Sequence, residues 1–420
     1  MESPKARTEF ALLVLLLALG IGFRLPPLAF LALPVAVHLV GGYLFAVGDR
    51  RPRFAAHRTL SAIRLWEGET VEVETTLVNR GSRVELVHVT DPLPPGLELT
   101  DGATEGVAEL GGGDSVSLRY TVRARRGHYP LRSLHVEAED LLGYATWYDD
   151  LPCPTPLTVL PRFERLRGIA IAPRRTLVQA GTARSRRGGV GIEFFGTREY
   201  RPGDEIRRIN WKAAARVGEL VVTEFEEERA ADVAVVLDVR ERAYRVEHPL
   251  DLLDHAVRGA ASLCQAFLAS GHRVGLLLYG AYVDWVYPGY GRRHGERLLG
   301  ELARARLGTS EVFAELTRIP TRLLRPGSQV ALVSPLLPGD AEDLGTLTAR
   351  GYRVMVLIPD PTTVPGPSRR DPEVEIARRI LQLERQTIVA RLHAARARPV
   401  VWDVRYPLAP QAKAGWRRVQ

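Results

Sequence analysis

Cysteine is almost missing from this chain: 420 residues contain only Cys153 and Cys264, far apart and in apolar surroundings. That excludes a disulfide framework and any C-x-x-C metal spacing, and it suits a reducing compartment. No G-x-x-x-x-G-K-[ST] phosphate loop occurs, so nucleotide hydrolysis by the chain itself is not expected. Gly188, Gly189 and Gly191 follow an arginine-rich loop instead of a strand and miss the G-x-G-x-x-G spacing, which argues against a dinucleotide. H-E-x-x-H and G-x-S-x-G are absent, and the ten histidines are scattered. Trp147, Tyr148 and the arginines would suit nucleic acid, but no recognition-module motif accompanies them. Acidic residues are in deficit, giving a net charge of +8, with arginine far outnumbering lysine. This permits an anionic partner such as lipid headgroups, nucleic acid or an acidic protein face, although a high-GC genome produces the same bias. With 45% hydrophobic and 25% charged residues, a largely disordered chain is excluded, and the length calls for roughly two or three modules.

Long apolar runs are present at the N-terminus. Phe10 to Phe23 is a run of fourteen residues and Leu25 to Val47 one of twenty-three, interrupted mainly by Arg24, Pro26, Pro27, Pro34 and His38. At the helical rise the second spans roughly 35 Å, enough for a bilayer, and the first roughly 21 Å. A signal peptide competes, given Lys5 and Arg7 before an apolar core, but a second apolar run follows at once and no small-x-small cleavage site stands cleanly between them. The expectation is a transmembrane hairpin over residues 1–48, with helices at about 9–23 and 25–47. Lys5 and Arg7 before it, and Arg50, Arg51, Arg53 and Arg58 after it, put both ends in the cytoplasm by the positive-inside rule. A two-pass cell-membrane location with cytoplasmic soluble domains follows.

Beyond the hairpin, Thr70–Val78, Val84–Val89 and Val116–Val122 alternate apolar and polar residues between turn signals, predicting a small immunoglobulin-like β-sandwich over 58–161. Residues 162–187 read as a linker dense in arginine, opposed by Glu164 alone. From Ala231 strands and helices alternate. Val233–Leu237 is an unbroken apolar run, as a strand buried on both faces requires, and Leu250–Leu268 carries apolar residues at steps of three and four. Further strands are predicted at 274–279, 282–287, 329–333, 353–358 and 399–404, and helices at 295–306, 340–350 and 372–395. This is a doubly wound α/β domain over 231–406, with a tail at 407–420.

Between linker and α/β domain stands a block without any helical or strand period, Gly188 to Arg229. It gathers Glu193, Arg198, Tyr200, Gly203, Asp204, Arg207, Ile209, Trp211, Lys212 and Arg216 at the spacing G-x-E-F-x-x-x-R-x-Y-x-x-G-D-x-x-R-x-I-x-W-K-x-x-A-R. This strongly resembles the signature of the domain-of-unknown-function-58 family. The resemblance implies a von Willebrand factor A-like arrangement for the α/β domain and extends to the sandwich, whose end would be Arg126–Leu142 and Leu157–Pro161. Pro202-Gly203-Asp204 is turn chemistry. Arg198, Arg207 and Arg216 are suited to pair with Glu193, Asp204 or the acidic run Glu224–Glu228, and Trp211 is expected to be buried against the sheet. The block then reads as a structural clamp with an exposed docking edge, and Glu224–Glu228 as an alternative face for a basic partner.

Many von Willebrand factor A domains hold a divalent cation through Asp-x-Ser-x-Ser after the first strand. Asp238 matches the aspartate here, but Arg240 and Arg242 take the serine positions, and the later strand ends in Ser334 where an aspartate is frequent. A guanidinium has no lone pair to offer a cation. No metal and no cofactor are therefore expected: either Asp238 pairs with Arg240 or Arg242, or it is an ordinary strand-end aspartate in water.

The expected function is a non-enzymatic, membrane-anchored adaptor or scaffold. By resemblance its partner is a MoxR-type AAA+ ATPase, near membrane transglutaminase-like proteins, in protein maturation or envelope assembly. Two other readings stand beside it: a binder of anionic lipid or polymer through the arginine-rich linker, and an enzyme with its site in the signature block. No oligomeric state follows from the sequence.

Overall fold

The structure, a computed structural model, describes residues 4–47, 52–140, 146–169, 177–178, 184–244, 248–280, 283–310, 313–320, 324, 327–364 and 372–416. The chain divides into two compact units, Met1–Leu160 and Pro161–Gln420.

The first unit opens with helices α1 (Pro4–Gly22) and α2 (Pro26–Val47). They close on each other where Gly20 meets Ala29; a Cβ at Gly20 would lie 2.8 Å from the Ala29 nitrogen. The hairpin expected from the sequence is thus helical, but its transmembrane character is corrected: among the described residues no helix is long and apolar enough to cross a membrane. The first turns of α1 carry Lys5, Arg7 and Glu9, leaving Phe10–Gly22, roughly 20 Å of apolar helix against a hydrocarbon core of about 30 Å. In α2 the apolar run is interrupted by Pro34 and His38. The two-pass membrane location falls with it, because the positive-inside rule has no span to orient.

Alternating burial then builds two sheets. Strands β1 (Phe54–Leu60), β2 (Arg64–Trp66), β3 (Thr70–Asn79), β4 (Val84–Thr90), β5 (Leu97–Gly102), β6 (Glu105–Leu110), β7 (Ser115–Ala124), β8 (Gly127–Glu139) and β9 (Thr146–Leu160) pair in the orders β1-β3-β7-β5 and β2-β9-β8-β4-β6. In β3 every second residue from Val71 is buried, the mark of a strand with one face on a core. That core is shared: Val73 and Leu77 of β3 and Val122 of β7 meet Val87 of β4, Leu134 of β8 and Leu157 of β9. Inside it Arg58 donates to Asp91 Oδ1 at 2.6 Å and Oδ2 at 3.0 Å, and to the carbonyls of Leu131 and Cys153 at 3.0 Å each. Thr75 and Tyr120 hydroxyls donate to Asp91 Oδ2 at 2.7 and 2.8 Å, so a charge pair with no exposed side-chain surface has its bonds filled. Burial, then the Asp91 charge, push the Tyr120 hydroxyl up from its ordinary pKa.

The second unit begins with β10 (Leu177–Val178), β11 (Arg184–Glu199), helix α3 (Trp211–Val217) and β12 (Val221–Ala230), the strands forming an antiparallel sheet β10-β12-β11. The expected linker is therefore strand from Arg184 onward, and Pro161 and Leu166 are buried. The α/β array follows: β13 (Asp232–Asp238), α4 (Pro249–Ala269), β14 (Arg273–Tyr279), β15 (Val283–Gly289), α5 (Arg292–Arg304), β16 (Gln329–Val333), α6 (Asp340–Ala349), β17 (Arg353–Pro359), α7 (Pro372–Ala394), β18 (Arg398–Trp402) and α8 (Leu408–Gly415). Its sheet runs β15-β14-β13-β16-β17-β18, parallel except for β15. Every residue of β13 and β16 is buried, which explains their unbroken apolar runs. Helices cover both faces. Val236, Leu332 and Val356 pack with Leu344 and Leu347 of α6 and Leu392 of α7. Alternate residues Val333 and Leu357 point the other way, to α4, where a Cβ at Gly259 would lie 2.7 Å from the Leu357 side chain. Each fully buried leucine contributes about 1.5–3 kcal/mol.

The expected tail is a packed helix. Leu408, Ala412 and Trp416 are buried, and Trp416 Nε1 donates to the Arg398 carbonyl at 2.9 Å. Glu164, the lone acid of the arginine-rich stretch, accepts the Leu408 and Ala409 N–H groups at 2.8 and 2.9 Å, meeting the donors at the start of α8.

Candidate functional site

Two groups of residues from the sequence are brought together in the second unit. The first is built on the β11–β12 hairpin. Glu199 pairs with Val221, Tyr200 N–H donates to the Leu220 carbonyl at 2.8 Å, and the excursion between them holds the signature residues. Arg201 to Asp204 is a turn closed by Asp204 N–H on the Arg201 carbonyl at 3.0 Å, with Pro202 and then Gly203 at φ +106°, a conformation that glycine takes without strain. Arg198 holds Asp204 with two parallel bonds, Nη1 to Oδ2 and Nη2 to Oδ1, each 2.7 Å, while Arg201 N–H donates to Oδ2 at 2.8 Å. These contacts, Arg198 foremost, bring the Asp204 carboxyl from its ordinary range down to about 2. Asn210 caps α3 by accepting from Ala213 N–H at 3.0 Å, and Gly218, at φ +82°, ends it.

The capped helix nevertheless buries none of its residues. Trp211 is 63% exposed, which corrects the expectation of a buried anchor, and Ile206, Val217 and Leu220 are exposed with it. Lys212 and Arg216 point to solvent, and the Arg207 side chain is 91% exposed, with Glu205 at 3.9 Å. The charge clamp therefore consists of Arg198 and Asp204; Arg207 takes no part in it. Ile209 bridges to Val222 and is half-buried. Glu193 lies on β11 and Glu224–Glu228 on β12, with their side chains outside the described residues.

The second group sits at the carboxyl ends of β13 and β16. From β13 the chain steps to β14 on one side, whereas β16 and β17 run to the other, so this is the point where strand order reverses, the usual crevice of such sheets. Asp238 is fully buried and pairs with Arg240: Nε to Oδ1 at 3.0 Å and Nη2 to Oδ2 at 2.8 Å. Ser334 Oγ donates to Asp238 Oδ2 at 2.6 Å. A residue the sequence reading missed completes the group: Asp340, at the start of α6, accepts Arg240 Nη1 and Nη2 at 3.1 and 2.7 Å, and the Leu337 N–H at 2.8 Å. Its partner lies a hundred positions away, and an acid at a helix start has an ordinary local explanation. Burial alone would lower the Arg240 pKa; the hydrogen bonds and charges of Asp238 and Asp340 outweigh it and raise it. Burial pushes the Asp340 carboxyl up against the Arg240 contacts. Arg242 does not share the pairing: its buried Nε has no hydrogen-bond partner among the described residues, and it lines an open cleft of ≈ 590 Å³ with Glu315, Leu337, Gly339, Asp340 and Asp343. Of the alternatives for Asp238, the Arg240 pair is the one present. The oxygens a cation would need are turned onto a guanidinium, so these residues do not fit a divalent metal.

The family described as "Protein of unknown function DUF58" matches residues 196–389, from the end of strand β11 through the signature residues from Arg198 onward to α7. Over those residues the chain matches the DUF58 family. It is similar to "Uncharacterized protein YeaD" of Bacillus subtilis (strain 168), 24% identical over 314 residues, covering 73% of this chain and 75% of that protein. It is also similar to "Uncharacterized protein Rv1480" of Mycobacterium tuberculosis, 28% identical over 139 residues, 33% of this chain and 44% of that protein, so it spans less than half of that relative's length. Among solved structures, the CARDB domain of the PF1109 protein from Pyrococcus furiosus matches 27% of this chain and 97% of its own at 11% identity and TM-score 0.19. The cupredoxin domain of amoB from Nitrosocaldus yellowstonii matches 24% of this chain and 82% of its own at 16% identity and TM-score 0.18. Likenesses at such scores carry no argument about fold or chemistry.

Proposed function

We propose that this chain is a non-enzymatic adaptor whose α/β domain is a von Willebrand factor A-like module that works without a metal. Its docking surface is the exposed rim of the signature block, and its partner is a MoxR-type AAA+ ATPase, in protein maturation or envelope assembly. The observation that carries this reading is the state of α3: Trp211, Ile206 and Val217 face solvent beside Arg207 and Lys212, on a turn fixed by the Arg198–Asp204 pair. Tryptophan and arginine are the side chains that most often dominate protein interfaces, and a pre-formed turn loses little entropy when it docks. The von Willebrand-like part of the reading is supported by Asp238 at the end of β13, with Arg240 standing where a cation's ligands would be.

The test is biosensor binding of the purified chain to a MoxR-type ATPase from the same genome. Binding that Trp211→Ala or Lys212→Glu weakens at least tenfold, about 1.4 kcal/mol or more, supports the reading. No binding, or binding indifferent to both changes, overturns it.

A further inference from the structure

Helix α7 has two faces of opposite character. On one, Leu392 is fully buried in the core of the α/β domain, Ile388 and Val389 pack partly against it, and Arg385 reaches Asp360 at 3.0 Å. On the other, Ile376, Ile380 and Leu383 are 59%, 52% and 63% exposed, and Thr387 and Ala390 continue the exposed line. From Ile376 to Ala390 the steps are four, three, four and three, a repeat of 3.5 that keeps one stripe along the helix and that coiled coils use as their seam. Among the described residues Ile376, Ile380 and Leu383 take no part in the domain's core.

The residues of the stripe select its occupant. Ile380 falls at the a position between Ile376 and Leu383 at d, and the Ile380–Leu383 step, β-branched at a and leucine at d, is the combination that favours two parallel strands. Arg379 then falls at g and Glu384 at the following e, and both are exposed. In a parallel, in-register pair, g of one helix faces e of the other, bringing Arg379 against Glu384 of the second copy. Antiparallel pairing would set like against like at these positions.

We infer that α7 pairs in parallel with α7 of a second copy through Ile376, Ile380 and Leu383, making a weak homodimer. From Ile376 to Leu383 the seam covers only roughly 10 Å, so the association depends on concentration. This rests on α7 alone and is independent of the signature-block reading.

Sedimentation velocity of the full chain over a wide concentration range is the test. The expected result is a monomer–dimer equilibrium that Ile380→Glu with Leu383→Glu abolishes without lowering the melting temperature. Glu384→Arg should weaken dimerisation at least several-fold, and adding Arg379→Glu should restore it. Leu383→Cys should give a disulfide-linked dimer under oxidation, since the native cysteines are both buried. A monomer at every concentration, a dimer that survives the double glutamate change, or a dimer in which Leu383→Cys does not cross-link would each overturn the proposal.

Discussion

Arg240 and Arg198 each grip an aspartate with two hydrogen bonds, yet they belong to different kinds of site. Arg240 is 2% exposed and holds two carboxylates, Asp238 and Asp340, at the end of a fully buried strand. Arg198, about a third exposed, holds one, Asp204, on a turn beside a helix that buries nothing. In the first, water is excluded and every charge depends on its neighbour; in the second, solvent screens the pair and its work is geometric, fixing a turn. Placement in the fold, and not the pairing chemistry, separates a stability element from a presentation element.

The largest expected effect comes from breaking the buried group. Arg240→Ala leaves two carboxylates uncompensated and should destabilise the chain by about 3–5 kcal/mol in chemical unfolding. The defect should ease in acid. Burial already holds the Asp340 carboxyl above its ordinary value, and without the guanidinium nothing opposes that rise, so the folded state binds a proton more tightly there and stability is lost as pH rises through the raised value. A defect of equal size at pH 4 and pH 7 would count against the buried-charge account.

Trp416→Ala should cost a similar about 3–5 kcal/mol, because the indole is fully buried under β18 and donates to Arg398. An unaltered unfolding midpoint would mean that α8 is not part of the domain.

His272 gives a smaller, pH-dependent effect. Burial lowers its pKa from 6.5 to about 4, and its Nδ1 faces the Ala231 N–H. Between those values the unfolded chain is protonated and the folded chain is not, so stability present above pH 6.5 falls as pH drops toward 4. The loss from this group is up to about 3 kcal/mol, and His272→Asn should remove that share of the slope. A variant with the same pH profile as the natural chain would show that His272 is not the titrating group.

Arg207→Ala should change stability by less than about 0.5 kcal/mol, since its side chain stands in solvent.

The α/β domain was legible in the sequence because its signals are local. The apolar run VAVVL lies within β13, the periodicity of 250–268 lies within α4, and β16 has the boundaries predicted for it. What was not legible depends on partners far along the chain. Asp340 acquires its role from Arg240, and Glu164 from the start of α8, more than two hundred positions on. The tail 407–420 is too short and too interrupted by Pro407, Pro410 and Gly415 to show a helical period, yet Trp416 anchors it. Trp211 was misread for the opposite reason: a tryptophan in a dense block is ordinarily buried, and nothing local says that α3 stands clear of the sheet. The N-terminal runs have membrane-like composition, but Lys5, Arg7 and Glu9 take up the first turns of α1 and Pro34 and His38 interrupt α2.

The central claim is that the signature block presents Trp211 to a partner and does not use it to hold the fold. Thermal unfolding of Trp211→Ala, run beside Trp416→Ala, tests this most directly. The account predicts a melting temperature within about 2 °C of the natural chain for Trp211→Ala, as for other solvent-facing positions, against a clear drop for Trp416→Ala. A drop in Trp211→Ala as large as that in Trp416→Ala would contradict it and return the block to the role of a buried clamp.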